Sequence, residues 1–99
     1  PHVLTPSHGV YASRTFLEDG SSYAAVTNVG ARPTVSNGSD VTVEVCLLDF
    51  QGDLYGKTLR VEFYQHLRDE VRFDSLDALK AQIQADAEAT RRYFTEKQD

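Results

Sequence analysis

The chain has little of what would place it outside the cell or within a membrane. Cys46 is the only cysteine, so no disulfide can form within the chain. No apolar run approaches the roughly 20 residues that a membrane-spanning helix needs. The first residues carry no cationic segment followed by an apolar one, so no signal peptide is predicted. These features favour a reducing cytoplasm and no membrane partner.

Positive charge is also scarce. The 99 residues include 10 Lys and Arg against 15 Asp and Glu, which gives a formal charge of -5. A nucleic-acid surface needs clustered cations, so nucleic acid is not an expected partner. The histidines, at positions 2, 8 and 66, show no metal-ligand spacing with Cys46, and no metal site is predicted within the chain. The length suits one domain with one modest core.

Alternating apolar and polar residues, rich in β-branched and aromatic types, predict four strands. Asp19-Gly20 predicts a two-residue hairpin turn between the first two strands. Residues 30–40 contain Pro33, Asn37 and Gly38, which predict a loop or irregular crossing. The predicted strands cover residues 9–17, 22–29, 40–50 and 58–67.

A helix is predicted after the last strand. Asp74 or Ser75 can cap its N-terminus. Apolar side chains then recur at helical spacing and predict a buried stripe. Its members are Leu76, Leu79, Ile83, Ala87 and Phe94. Strands followed by one long helix predict a mainly β fold: a small antiparallel barrel or strongly curled sheet, with the helix against its side or over one end.

The most apolar strand carries a carboxylate in its middle. Glu44 shares one face of that strand with Cys46 and Leu48. Glu44 is either a solvent-facing residue on the polar side of the sheet or a partly shielded carboxylate suited to act as a general base.

Three further segments carry candidate side chains. Residues 52–56 are either a plain hairpin turn or a loop that presents Tyr55 and backbone groups to a planar ligand. Arg68, Asp69 and Glu70 are either a solvated charge cluster or the border of a ligand mouth. Residues 28–34 lack the spacing and the Lys of a P-loop, which favours a rigid turn set by Pro33.

Five blocks in order resemble the riboflavin kinase family, in particular the C-terminal module of bacterial bifunctional FAD synthetases. No single block is decisive, but their order is highly specific. The blocks are GVYA at 9–12, TNVGARPT at 27–34, VEVCLLDF and GDLYG at 43–56, LRDE at 67–70 with Phe73, and SL with LKAQI between 75 and 83, followed by Asp86.

This resemblance implies a six-stranded Greek-key β-barrel (riboflavin kinase-like) with one long C-terminal α-helix. It implies that ATP phosphorylates the 5′-hydroxyl of riboflavin to give FMN, with Mg²⁺ accompanying ATP. Glu44 matches the family's catalytic glutamate. The other matched positions imply nucleotide binding by Asp49, Leu54 and Tyr55, and flavin binding by Arg68, Asp69 and Glu70.

Two departures from the family pattern limit these expectations. Cys46 occupies a position where the bacterial pattern commonly has His. The family's Pro-Thr-Ala-Asn motif, which binds metal and phosphates, is expected to lie upstream of residue 1. Residues 1–99 are therefore expected to form a single riboflavin kinase domain that is incomplete at its N-terminus, lacks the first barrel segment and has little activity by itself.

The parent protein is expected to link this domain covalently to an adenylyltransferase domain. An unpaired strand edge also makes self-association a reasonable hypothesis. The alternative to a kinase is a non-catalytic barrel module that binds a flavin or a protein partner.

Overall fold

Four strands and one helix follow one another along the chain in the computed structural model, which describes residues 7–34 and 38–96. The described part of the chain has no helix with the length and hydropathy to cross a membrane. The elements are β1 (Gly9–Phe16), β2 (Ser22–Thr34), β3 (Gly38–Leu47), β4 (Arg60–Arg68) and α1 (Leu76–Glu96).

The strands form one antiparallel sheet in the order β3-β2-β1-β4. Strands β1 to β3 follow one another as neighbours, and β4 returns after a longer connection to pair with β1. This is the Greek-key arrangement. The described residues form an open four-stranded sheet, and the prediction of a mainly β fold with a C-terminal helix is confirmed.

The pairing of β2 with β3 extends further towards their connecting loop than predicted. They pair from Ala25 opposite Leu47 to Thr34 opposite Gly38, so the loop predicted at residues 30–40 is wrong over most of its length. Pro33 fits because the pairing of β1 ends opposite Val29, so that, among the described residues, Pro33 has a neighbouring strand on one side only. Residues 35–37 lie outside the described residues.

The hairpin between β1 and β2 is confirmed, but its loop has three residues rather than two. Leu17 N–H donates to Ser21 O at 2.9 Å, and Gly20 N–H donates to Leu17 O at 3.1 Å. Gly20 has a φ of 94°, a backbone angle that residues other than glycine rarely adopt. A turn that ends in a left-handed glycine is a common three-residue hairpin.

The two faces of the sheet differ in character. On one face Ser13 and Thr27 are fully buried, and their hydroxyls lie 2.6 Å apart. Ser13 Oγ also lies 3.0 Å from Ala25 O. The opposite face, which we call the helix face, carries Val10 and Arg14 and supports α1. Polar hydrogen bonds therefore join β1 to β2 on the side away from the helix.

Helix α1 begins as predicted at a serine cap, with Ser75 Oγ accepting from Ala78 N–H at 3.1 Å. Near its C-terminus Phe94 packs on the sheet: its ring centre lies 5.2 Å from that of Tyr64 and 4.7 Å from the Arg14 guanidinium. The predicted apolar stripe is wrong in part. Leu76 is 70% exposed and Ile83 is 51% exposed, whereas the buried residues of α1 are Asp86 and Thr90.

Asp19 makes the β1–β2 hairpin sensitive to acid. The Ser21 side chain and backbone N–H donate to Asp19 Oδ1 at 2.6 and 2.9 Å, and these bonds hold the pKa of Asp19 below its ordinary value of 3.8. Because the pKa is lower in the folded state, the stability from this group is complete above 3.8 and is lost as the pH falls through the folded-state pKa.

Asp19→Asn should therefore flatten the decline of the melting temperature below about pH 4 while changing it little at neutral pH. Melting curves across pH test this, with Glu18→Gln as the control in the same turn. An Asp19→Asn protein that loses stability in acid as steeply as the wild type would contradict the expectation.

Candidate functional site: a cavity between the sheet and the helix

A cavity of about 310 Å³ lies between the helix face of the sheet and α1. This volume is at the lower end of the range of about 300–1,000 Å³ for small-molecule sites. Most of its walls are apolar, and its polar side chains come from the sheet, from the loop before α1 and from α1 itself. The lining residues are Val10, Val26, Asn28, Glu44, Val45, Cys46, Leu48, Arg68, Glu70, Val71, Phe73, Leu79, Ile83, Asp86 and Ala87.

Glu44 reaches the cavity because of strand register. It pairs with Asn28 of β2, so the two side chains lie side by side on the helix face. Glu44 and its neighbour Cys46 are both exposed, so the shielding predicted for this face is absent. Within the described residues, Asn28 Oδ1 and Thr42 Oγ1 are buried without a hydrogen-bond partner. The exposed side chain of Glu44 thus lies at the mouth of the cavity, beside two buried polar atoms, Asn28 Oδ1 and Thr42 Oγ1.

Arg68 lies at the end of β4 and forms an ion pair with Asp86 of α1. Its Nε and Nη2 donate to the two carboxylate oxygens of Asp86 at 3.0 and 2.8 Å. Gln82 Nε2 also donates to Asp86 Oδ1, at 3.0 Å, and Arg68 Nη1 donates to Asp69 O at 3.0 Å. The Arg68 side chain is 23% exposed and that of Asp86 is 8% exposed. Three of the five N–H donors of this predicted flavin-binding guanidinium therefore bond to the protein itself.

Glu70 lies over the backbone of β2. Its carboxylate is so close to Gly30 that a Cβ at that position would overlap it. Gly30 pairs with Thr42 in β3, two residues before Glu44. The loop of residues 69–73 is part of the connection between β4 and α1. Because Gly30 has no side chain, this loop can bring a second carboxylate to the end of the cavity that holds Glu44.

The other predicted site residues lie outside the cavity lining. Asp49 has a φ of 60° and accepts from Arg91 of α1 at 3.1 Å. Tyr55 is 93% exposed, and its N–H donates to Asp53 Oδ1 at 2.9 Å. Asp69 lies 3.4 Å from the His66 imidazole. The cavity thus gathers Glu44, Arg68 and Glu70, while Asp49, Leu54 and Tyr55 belong to a separate exposed connection between β3 and β4.

Sequence reasoning missed the contribution of the helix to this site. Leu79, Ile83 and Ala87 were predicted to be buried in the core, but they line the cavity. Asp86 is the buried residue among them. A carboxylate one helical turn from Ile83 and Thr90 was the available signal, because an acidic residue on a buried stripe needs a cationic partner.

The fold and the cavity together define a small Greek-key β domain with a cavity closed on one side by a helix. The model of the riboflavin kinase (flavokinase) family matches residues 1–94. The chain therefore belongs to the riboflavin kinase family, as the sequence blocks predicted.

Curated relatives are bacterial and named bifunctional riboflavin kinase/FMN adenylyltransferase. The protein from Pseudomonas fluorescens is 50% identical over 86 residues, which is 87% of this chain and 27% of the relative. The Haemophilus influenzae protein is 41% identical over 91 residues, covering 92% of this chain and 29% of the relative. The chain thus spans less than a third of the length of these relatives.

A solved structure described as a macrolide-efflux protein from Streptococcus pneumoniae has the same fold. It superposes with a TM-score of 0.82 and 36% identity, over 89% of this chain and 28% of that protein. Its name differs from those of the curated relatives. The family assignment rests on the sequence matches, and this structure supports the fold.

Gly30→Ala should displace the Glu70 carboxylate while leaving the fold intact, because the atoms that a Cβ would meet are the far end of a flexible side chain. We expect little change in melting temperature and, under the function proposed in the next subsection, roughly tenfold weaker binding of riboflavin, since one proposed charge-assisted contact is moved. Flavin fluorescence titration measures the affinity.

Glu70→Ala provides the control for this prediction. In a Glu70→Ala background, adding Gly30→Ala should have no further effect on riboflavin affinity. If Gly30→Ala weakens riboflavin binding equally with and without the Glu70 side chain, then Gly30 does not act through Glu70.

Proposed function

We propose that the cavity is the riboflavin site of an ATP-dependent riboflavin kinase, with Glu44 as the general base. One observation carries the proposal: a cavity of small-molecule size collects Glu44 with Arg68 and Glu70, which the family resemblance singled out in two separate parts of the chain.

The shape and lining suit a flavin. Phe73 and Val71 from the loop and Leu79 and Ile83 of α1 all line the cavity, so much of its wall is apolar. Such walls favour a planar aromatic ring. Glu44 and Asn28 supply the polar end, which suits the hydroxyl groups of a ribityl chain.

The charge of the lining argues for riboflavin rather than ATP as the occupant. Among the described lining residues, three are acidic and one is basic: Glu44, Glu70, Asp86 and Arg68. Asp86 already neutralises Arg68, and among the described side chains Glu44 and Glu70 have no cationic partner. A triphosphate would be repelled by these carboxylates, whereas neutral riboflavin would not.

The proposed chemistry is transfer of the γ-phosphoryl group. The substrate 5′-hydroxyl oxygen attacks the γ-phosphorus, the bond from that phosphorus to the bridging oxygen breaks, and ADP leaves with the electron pair. The Glu44 carboxylate accepts the hydroxyl proton and later releases it to solvent. Positioning and charge neutralisation supply most of the catalysis in such reactions. The exposed position of Glu44 lets it meet the nucleotide at the cavity mouth.

Mg²⁺ is proposed to accompany ATP, as in phosphoryl transfer generally. Across residues 7–34 and 38–96, no three His, Cys, Asp or Glu side chains converge to form a metal site. The described residues therefore do not form a three-ligand protein site for the metal.

The exposed connection between β3 and β4 is proposed as the adenine side. Residues 54–57 form a turn in which Lys57 N–H donates to Leu54 O at 3.0 Å, and Gly56 has a φ of 77°. Asp49 ties the start of this connection to α1 through Arg91. A fixed turn with an exposed aromatic ring suits stacking on a base.

The wider setting of the domain is also proposed. We infer that residues 1–99 form one riboflavin kinase domain within a longer cytoplasmic protein that also carries an adenylyltransferase domain. The bifunctional names and greater length of the relatives support this. Self-association stays a prediction.

Glu44→Gln tests the proposed base in the full-length protein. Turnover of riboflavin to FMN should fall by about 10²–10⁴-fold, because the amide cannot accept the proton. Riboflavin affinity should change little, because the amide is nearly the same size. FMN formation by chromatography and fluorescence titration measure the two quantities.

Glu18→Gln makes the same chemical change in an exposed turn far from the cavity and serves as control. A Glu44→Gln protein with wild-type turnover would refute the role of Glu44. A wild-type protein that binds riboflavin without forming FMN would instead favour the non-catalytic binding module.

Tyr55→Ala tests the adenine side. We expect the KM for ATP to rise by roughly tenfold, since stacking on a base contributes about 1–3 kcal/mol. The dissociation constant for riboflavin should not change, because Tyr55 does not line the cavity. Tyr55→Phe keeps the ring and should behave as wild type. An unchanged KM for ATP in Tyr55→Ala would remove this residue from the nucleotide site.

A further inference from the structure

Asp86 has no role in the proposed chemistry, yet it is the carboxylate that α1 buries against the cavity. It is 6% exposed and is reached by three donors, two from Arg68 and one from Gln82. A buried carboxylate is costly unless such bonds satisfy it. Its location among Leu79, Ile83 and Ala87 places that cost beside the ligand cavity rather than in the core.

Arg68 transmits the position of Asp86 to the loop. While Nε and Nη2 are held by the two oxygens of Asp86, Nη1 donates to Asp69 O, the first carbonyl after β4. A guanidinium is planar and rigid, so the carboxylate on one side fixes the direction of the donor on the other. The start of the loop is thereby fixed relative to the helix.

The residues that follow this fixed carbonyl carry the cavity lining. Glu70 lies on Gly30, and Phe73 lies with its ring centre 5.8 Å from the Arg68 guanidinium carbon. A change in the path of the loop at Asp69 therefore moves both the carboxylate and the aromatic wall that face the ligand.

We propose that Asp86 is a positioning residue that, acting through Arg68, holds the loop of residues 69–73 in place over the cavity and thereby sets the affinity for the aromatic substrate. The inference rests on the proposed function. It also changes the interpretation of Arg68, which acts on the flavin through the loop and not by a direct contact.

Asp86→Asn in the full-length protein tests the inference. An amide cannot accept two bonds from the guanidinium at its nitrogen end, so the fork is lost and the loop is released. The dissociation constant and KM for riboflavin should rise between about tenfold and 100-fold, the scale expected when a binding group is misplaced by about 1 Å. The KM for ATP should stay at the wild-type value.

Comparing the KM for riboflavin with kcat distinguishes a positioning role of Asp86 from a loss of folded protein. A merely structural role would lower the active fraction, and therefore kcat for both substrates, while leaving the KM for riboflavin unchanged. Glu88→Gln makes the matched change two residues along the same helix, on an exposed side chain, and should leave every constant unchanged.

Arg68→Lys keeps the test decisive if Asp86→Asn fails to fold. Lysine retains the charge but cannot hold both Asp86 oxygens and Asp69 O at once, so riboflavin binding should weaken while the fold survives. The effects of Asp86→Asn and Arg68→Lys should be non-additive in the double variant, since both break one linkage.

Riboflavin affinity in Asp86→Asn or Arg68→Lys equal to that of Glu88→Gln would overturn the inference. Fully additive losses would also overturn it, because the two residues would then act separately. If the wild type binds riboflavin but forms no FMN, the proposed function fails, while the affinity measurements still decide the role of Asp86.

Discussion

The pairing register of β2 with β3 decides which side of the sheet receives Glu44. Thr27 lies opposite Val45 and Asn28 lies opposite Glu44. Since successive side chains point to opposite faces, a slip of one residue would carry Glu44 away from the helix and the cavity. The buried hydroxyl pair of Ser13 and Thr27 holds β1 to β2 on that opposite face. The place of the proposed base thus depends on the β2–β3 register, while polar bonds on the other face join β2 to β1.

The helix completes the site because it does not pack flush against the sheet. Near its C-terminus Phe94 meets Tyr64 and Arg14, and in its middle the Arg68–Asp86 ion pair joins it to β4. Between the cap at Ser75 and Asp86, the apolar side chains of α1 meet open space instead of a close-packed core. An apolar helix surface that the fold leaves uncovered is suited to a ligand.

Local signals in the sequence predicted the elements well. Alternation gave the strands, Asp19-Gly20 the hairpin, and Ser75 the helix cap, because each depends on neighbouring residues. The extension of β2 through Pro33 was missed because proline is tolerated only where a neighbouring strand is absent, and strand order is not a local property. The loop at residues 30–40 was wrong for that reason.

The candidate site could be predicted only in part, because its residues come from elements that are distant in sequence. Glu44 and the 68–70 cluster stood out by chemical type, and family blocks gave them proposed roles. The Arg68–Asp86 pair joins residues 18 positions apart in different elements, so neither partner reveals the other in sequence. Helical periodicity also cannot distinguish side chains that pack on a sheet from those that line a cavity, as Leu79 and Ile83 show.

The charge of the cavity bears on product release in the proposed reaction. Neutral riboflavin would enter a cavity where Arg68 is already paired and where Glu44 and Glu70 have no cationic partner among the described residues. The product FMN would carry a phosphate on the hydroxyl that Glu44 has deprotonated. That phosphate would lie beside two exposed carboxylates and would be repelled by them. Had Arg68 been free of Asp86, it would have attracted the product phosphate. In the proposed arrangement, the pairing of Arg68 with Asp86 therefore both positions the loop and favours release of the product.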